Sequence, residues 1–446
     1  MTVSPVLDAP YLTMLDQIDH LPQLAPRLAR IRRLRRWIDA LWPNGHPTRF
    51  VHVSGTSGKG SVCRFLEAGF ALSGPAGSYT GPHLFDYRER FSVNGVALPA
   101  KAVLAAWEEV VLPFCVELAD RTPADLPKYG EVGLLLALVL FDRHKVAWAA
   151  METGYGGKYD PRMALDVAAT VVTNVGRDHE ELLGGEGWQR ALEKSGSARA
   201  GVPMFTMMET GDELEVLKQI CAHIGAPLTV VGDGKLKNFD AELKAALPNG
   251  LPPDSLLGAR HQRHNAALAM SIVNRLHPQV DRTAMLERLA RLPFLGRFHK
   301  VDDNLYADLA HNPDKIDALM AELRERFGPR RYGFVVGLSG DRAAEDVFVP
   351  LMASAAHVIV TRGRYKGADL DTVAASLKAM NSLGVPLDIE PDPRKAVKRL
   401  KVLLANSSLD VGLITGSTYL IDDALNPNPY LRHLNAVYGW RKRTPA

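Results

Sequence analysis

Lys59 and Ser61 are set among glycines in Val51-His52-Val53-Ser54-Gly55-Thr56-Ser57-Gly58-Lys59-Gly60-Ser61. Val51 and Val53 alternate as strand residues do, and Val62, Phe65, Leu66 and Phe70 then repeat at helical spacing. A glycine turn between strand and helix aims successive N–H groups at one point, where the helix N-terminus adds positive potential. Gly55, Gly58 and Gly60 free the backbone for that path, with Thr56 among them. Lys59 offers a mobile cation for nucleotide phosphates, and the Ser61 hydroxyl suits Mg²⁺. The pattern departs from G-x-x-x-x-G-K-[ST]. Aligned on Gly58-Lys59, the first glycine position holds Val53, and Gly60 intervenes before the serine. An ordinary glycine-rich strand–helix turn is the competing reading.

Polar residues recur at other strand ends. Thr80 and His83 lie in a loop opened by Gly81-Pro82, expected on the same edge as the phosphate turn. Glu152 ends the apolar run Val146–Met151 and is followed by glycines, the position expected for a Mg²⁺ ligand. His179 follows a strand over 168–175 as a metal ligand or a packed histidine. Glu131 heads an apolar helix, where capping and ligation are equal alternatives. Lys194, by its context, reads as a surface charge. Gln262 and Asn265 share one helical face and could cap a loop or read a purine edge.

The elements that must position these groups form two alternating α/β patterns. At 446 residues the chain is too long for one core. The expected class is α/β: an N-terminal parallel-sheet domain of the P-loop type and a C-terminal Rossmann-like α/β domain. The division falls at Leu292-Pro293-Phe294-Leu295-Gly296-Arg297, giving residues 1–295, with a helical N-terminal segment, and 296–446. Arg27, Arg30, Arg32, Arg33, Arg35 and Arg36 interleave with apolar residues, so the basic side chains are expected on a solvated outer face. A net charge of +3 makes no case for nucleic acid or an anionic membrane. Three scattered cysteines favour a reducing compartment, and no apolar run of transmembrane length is present. A cytoplasmic protein, monomeric or a small homo-oligomer, is expected.

Several blocks occur together in order: Ser54–Ser61, Thr80–Leu84, Glu152–Asp160, Thr173–His179, Glu193-Lys194, His261-Gln262 with Asn265, Gly296-Arg297, Asp308–Pro313 and Thr415–Leu420. The chain resembles the folylpolyglutamate synthase/dihydrofolate synthase family, within the Mur ligase superfamily, over roughly residues 45 to 425. The resemblance implies ATP-dependent amide formation: a carboxylate becomes an acyl phosphate, and an amino acid's amine, glutamate by default, displaces phosphate. It places Lys59 on phosphates and Ser61, Thr80, Glu152 and His179 around Mg²⁺, two ions being implied. Lys194 matches a lysine that the family carbamylates to support the second ion. Lys59, His179 and Lys194 are the implied catalytic set. Asn265 and Arg297 look like ATP contacts, Asp308 like a nucleotide contact from the second domain, with His311 beside it. The family usually has Asn at position 57 and Ser at 81, where this chain has Ser57 and Gly81. Residues 158–163 and 195–197 also depart, which points to a changed acceptor. The alternatives are a ligase serving another cofactor or natural product, and a weakened nucleotide-binding subunit.

Overall fold

The computed structural model describes residues 9–19, 28–121, 127–177, 180–252, 254–340 and 342–427. Two largely parallel sheets carry the fold. The first comprises β1 (Arg49–Ser54), β2 (Ala76–Tyr79), β3 (Phe91–Val93), β4 (Val96–Ala97), β5 (Trp148–Glu152), β6 (Val167–Val172), β7 (Met204–Thr206) and β8 (Leu228–Val230). Their order is β4-β3-β2-β5-β1-β6-β7-β8. The short β3 and β4 are antiparallel, turning at Asn94-Gly95, and the other pairings are parallel. β1 is central, and its residues from Phe50 to Ser54 are buried on both faces. Val51 and Val53 pack against the Lys59–Phe70 helix, and Phe50 packs on the opposite side.

Register explains why the chemistry collects at one edge. Val53 pairs with Glu152 on β5 and with Val171 on β6. The glycine turn after β1 therefore emerges directly between the ends of β5 and β6, at the point where the chain switches sides of the sheet. Thr153 N–H donates to the Val53 carbonyl at 2.9 Å, and Thr173 N–H donates to the Ser54 carbonyl at 2.9 Å.

One face of this sheet is covered by the Lys59–Phe70 and Arg260–Leu276 helices, with Phe65, Leu66, Leu268 and Ile272 buried between them. The other face is covered by the Tyr129–Arg143 helix, apolar all round from Val132 to Phe141. A helix of that kind needs cover on both sides. The Leu28–Leu41 helix supplies part of it through Leu34, Trp37 and Ile38. Here the expectation of a wholly solvated arginine face fails. Arg33 is buried and pairs with Glu131 at 2.9 Å. Glu131 also accepts from Lys128 N–H at 2.8 Å, so capping and ion pairing occupy its carboxylate and ligation does not.

The second sheet comprises β9 (His299–Asp302), β10 (Leu305–Ala307), β11 (Tyr332–Val336), β12 (Ala355–Val360), β13 (Leu387–Ile389) and β14 (Val411–Thr415), in the order β13-β12-β11-β14-β10-β9. Only β9 runs antiparallel, and its polar, alternating sequence fits a half-exposed edge. Leu84 and Phe85 from the loop after β2 pack into the cluster of this sheet that holds Leu420 and Ile421. No described helix is long and apolar enough to cross a membrane.

Candidate functional site

The glycine turn takes a backbone path that the residue types predict. Gly55 has φ +135° and Gly58 φ +80°, values that side chains with a Cβ resist. Space is as restrictive as conformation. A Cβ on Gly55 would lie 1.9 Å from Thr173 Oγ1, and one on Gly58 would lie 2.4 Å from Asn265 Oδ1. The turn is pinned from outside as well. Ser57 N–H donates to Asn174 Oδ1 at 2.9 Å, and Thr173 Oγ1 donates to the Ser57 carbonyl at 2.7 Å. Gly176 N–H donates to Thr56 Oγ1 at 2.9 Å. Lys59 Nζ folds back onto the Gly55 and Thr56 carbonyls, at 3.0 and 3.2 Å, and so stands over the cradle. Ser57 Oγ is buried without a hydrogen-bond partner, a polar atom that an incoming ligand could satisfy.

Glu152 lies beside this cradle. Its Oε2 accepts from Gly81 N–H at 2.9 Å and would be 3.3 Å from a Cβ on Gly60. Glu152 and Thr80 line one cleft of about 330 Å³ together with Gly60, Phe294, Arg297 and Leu309. Ser61 is buried at the start of the helix and faces a second cleft of about 570 Å³. That cleft brings Gly58, Ser61, Asn265, Arg297 and Asp308 together. Arg297 lines both clefts. These residues come from both sheets' layers, so the two domains share one site.

A carboxylate, two hydroxyls and an open edge fit Mg²⁺, which takes few protein ligands and fills its shell with phosphates and water. Among the described residues no three His, Cys, Asp or Glu side chains form a cluster. A site using an all-protein cage is therefore not present among them.

Asp308 is held as an acceptor. Phe298 and Ala310 N–H groups donate to its two oxygens at 2.9 and 2.8 Å. Burial raises its pKa, and Arg297 and those two N–H groups oppose the rise. His311 Nδ1 lies 2.7 Å from the Leu309 carbonyl and Nε2 3.1 Å from Lys315 Nζ. Nδ1 thus carries the proton and Nε2 accepts. Farther along the nucleotide-sized cleft, burial raises Glu322 to a pKa of about 7. The exposed His261 ring approaches it only to 3.9 Å. Glu322 is instead gripped by Arg326 at 2.8 Å. Gln262 and Asn265 are both buried, with Asn265 Nδ2 donating to Gln262 Oε1 at 3.3 Å.

Lys194 is within the Gly187–Ser195 helix and only 2 % exposed, against the surface position that its sequence context suggests. Its backbone packs against Gly157, where a Cβ would lie 2.7 Å from the Lys194 carbonyl oxygen. His179 lies outside the described residues. Three contributors escaped sequence reasoning. Asn174 sits within the flagged block after β6, so its position was visible but not its role. Asp314 accepts from Arg177 N–H at 3.1 Å across the domains, and Arg90 backs Gly81. The first joins segments 137 residues apart, and the second depends on how the loop after β2 folds back on β3.

The Mur ligase, glutamate ligase domain model matches residues 296–418. The dihydrofolate synthase/folylpolyglutamate synthase of Bacillus subtilis is 26% identical over 425 residues, covering 89% of this chain and 94% of that one. The folylpolyglutamate synthase of Mycobacterium tuberculosis complexed with ADP superposes with a TM-score of 0.80 at 22% identity, over 98% of this chain and 99% of that one. The bifunctional folylpolyglutamate synthase/dihydrofolate synthase of Yersinia pestis complexed with AMPPNP and Mn ion gives 0.74 at 22%, over 98% and 100%. The domain match and the folylpolyglutamate synthase relatives make the chain an ATP-dependent, ADP-forming ligase, and the glycine turn faces a second α/β domain across one cleft, as that class requires. Residues 296–418 carry the Mur ligase, glutamate ligase domain match, and over most of its length the chain is similar to folylpolyglutamate synthase/dihydrofolate synthase proteins.

Proposed function

We propose that the protein joins glutamate to a folate-type carboxylate through an acyl phosphate. The observation that carries this reading is the convergence of Gly58, Ser61 and Asn265 with Arg297 and Asp308 in one cleft, bordered by a second cleft containing Glu152 and Thr80. ATP lies with its phosphates over the glycine turn, where backbone N–H groups and Lys59 neutralise them. Asn265 and Gln262 read the base side, and Asp308 accepts from the sugar. Arg297, reaching both clefts, stands where the γ-phosphate meets the acceptor. Ser61, Thr80 and Glu152 would hold Mg²⁺, with His179 and Lys194 completing a second position. The ion supplies charge neutralisation that lets one anion attack another. Carbamylation of Lys194 would convert a buried cation into a buried anion suited to that position.

The acceptor carboxylate attacks the γ-phosphate, and ADP leaves. The glutamate amine then attacks the acyl carbon, and phosphate departs from a tetrahedral intermediate. Residues 296–446 supply the amino-acid side, in keeping with the glutamate ligase domain match at 296–418. A weakened nucleotide-binding subunit is not favoured, because the turn, its pins and the Glu152 edge are all intact. The test is a phosphate-release screen of dihydropteroate and tetrahydrofolate against the common amino acids. Release that requires both glutamate and a folate-type acid is expected. Release indifferent to the acid, or specific for a non-folate acid, overturns the assignment.

A further inference from the structure

A third cavity, of about 570 Å³, opens beside the glycines that follow Glu152 and is lined by Tyr79, Tyr129, Tyr155, Tyr159, Arg90 and Arg162. Two cations stand in its wall, and their surroundings differ. Arg162 is paired with Asp160 at 3.4 Å. Three other shielded arginines are paired likewise, Arg33 with Glu131, Arg64 with Glu67 and Arg88 with Asp86, whereas Arg199 donates to the Arg162 and Met163 backbone carbonyls. Among the described residues no carboxylate pairs with Arg90. Its Nε donates to His83 Nδ1 at 3.0 Å, and its guanidinium lies 5.5 Å from the Tyr87 ring centre and 5.7 Å from that of Tyr129. Imidazole accepting a hydrogen bond and two phenols are neutral at pH 7. The cavity's own acids are turned elsewhere. Asp160 accepts from Gly154 and Arg162 N–H groups, and Glu193 points at Gly156.

A cation withdrawn from water with only neutral partners is costly, and an arriving anion recovers that cost. Gly81 ties this cation to the chemistry. Its N–H is held by Glu152, while its other side is filled by Arg90, whose Nη1 would lie 2.7 Å from a Cβ placed there. The guanidinium and the Glu152 carboxylate therefore both contact Gly81, one at its Cα and the other at its N–H. This also gives position 81 a physical account: glycine leaves the space that the guanidinium occupies.

We propose that Arg90 is the receptor for a carboxylate of the acceptor, drawing the acidic end of that substrate toward the Glu152 edge. The proposal rests on the ligase reading, but its test needs neither ATP nor a folate, so the two can fail separately. The competing role is structural, with Arg90 serving only to hold the tyrosine rings by cation–π contact. Binding of 4-fluorobenzoate and of 4-fluorobenzamide to the full-length protein is followed by fluorine NMR. These probes match in size and differ in charge. A charge-assisted hydrogen bond predicts a preference for the acid of roughly ten- to a hundredfold in the wild type. Arg90→Gln is expected to reduce that preference to about twofold. Gly81→Ser provides a second route if Arg90→Gln does not fold, because its Cβ displaces only the far end of a flexible side chain. It is expected to cause the same loss. Equal binding of the two probes by the wild type, or an acid preference kept in the folded variants, overturns the proposal.

Discussion

Gly58→Ala separates the roles of conformation and contact in the phosphate turn. At φ +80° an alanine pays roughly 1–2 kcal/mol for the left-handed backbone. That cost alone lowers the melting temperature by a few degrees in a domain of this size. The new Cβ also lands 2.4 Å from Asn265 Oδ1, so either the turn or Asn265 must move. A displaced Asn265 leaves a buried amide poorly satisfied and loses the ATP contact proposed for it, about 1–3 kcal/mol more. The expected fall in kcat/KM for ATP is about ten- to a hundredfold, beyond any effect of unfolding. Gly60→Ala is the control. Gly60 lies inside the Lys59–Phe70 helix without a positive φ, and its Cβ would meet Glu152 Oε2 at 3.3 Å. Helix propensity favours alanine there by up to about 1 kcal/mol. Thermal unfolding and phosphate release are measured on both variants. If Gly58→Ala keeps near wild-type kcat/KM, or if Gly60→Ala is destabilised as much as Gly58→Ala, the account of the turn is wrong.

Three further outcomes are expected. Lys194→Ala should lose at least a hundredfold in turnover, and added short carboxylates should restore part of it; no rescue, together with an unmodified lysine mass in the wild type, removes the carbamate. Asn174→Ala, which unpins Ser57 N–H, should raise the KM for ATP by about tenfold with little change in the KM for glutamate; equal changes in both would refute the pin. Glu322 has a folded pKa raised by burial to about 7, so its contribution is fully present below its unfolded value near 4.5 and is lost as pH rises through 7. The stability of the wild type relative to Glu322→Gln should therefore fall by up to about 3 kcal/mol between pH 4.5 and 8, and a flat difference by denaturant titration refutes the burial argument.

The glycine turn was legible because its determinants are local: glycines, a lysine, a serine and two apolar periodicities within some twenty residues. The strand-end positions of Thr80, Glu152 and Asp308 were legible for the same reason. Their convergence required the ordered set of blocks. Arg33 was misread because helical spacing shows which residues share a face and not what packs against it; the Tyr129–Arg143 helix decides that. The edge strand β9 and the helices at Ala344–Met352 and Pro393–Ala405 gave weaker signals than the apolar strands between them. In the sequence Arg90 is one charge of the run Arg88-Glu89-Arg90. Arg88 is paired with Asp86 and Glu89 receives three backbone N–H groups, from Leu84, Phe85 and Asp86. Only the tertiary structure shows that the third charge of that run faces a cavity.

The most direct test is ATP turnover by Lys59→Ala beside the wild type, with glutamate and a folate-type acid present and the fold checked by circular dichroism. The account predicts ADP and phosphate release by the wild type only when both co-substrates are added, and at least a hundredfold less by the folded variant. Comparable rates from the two proteins would contradict it.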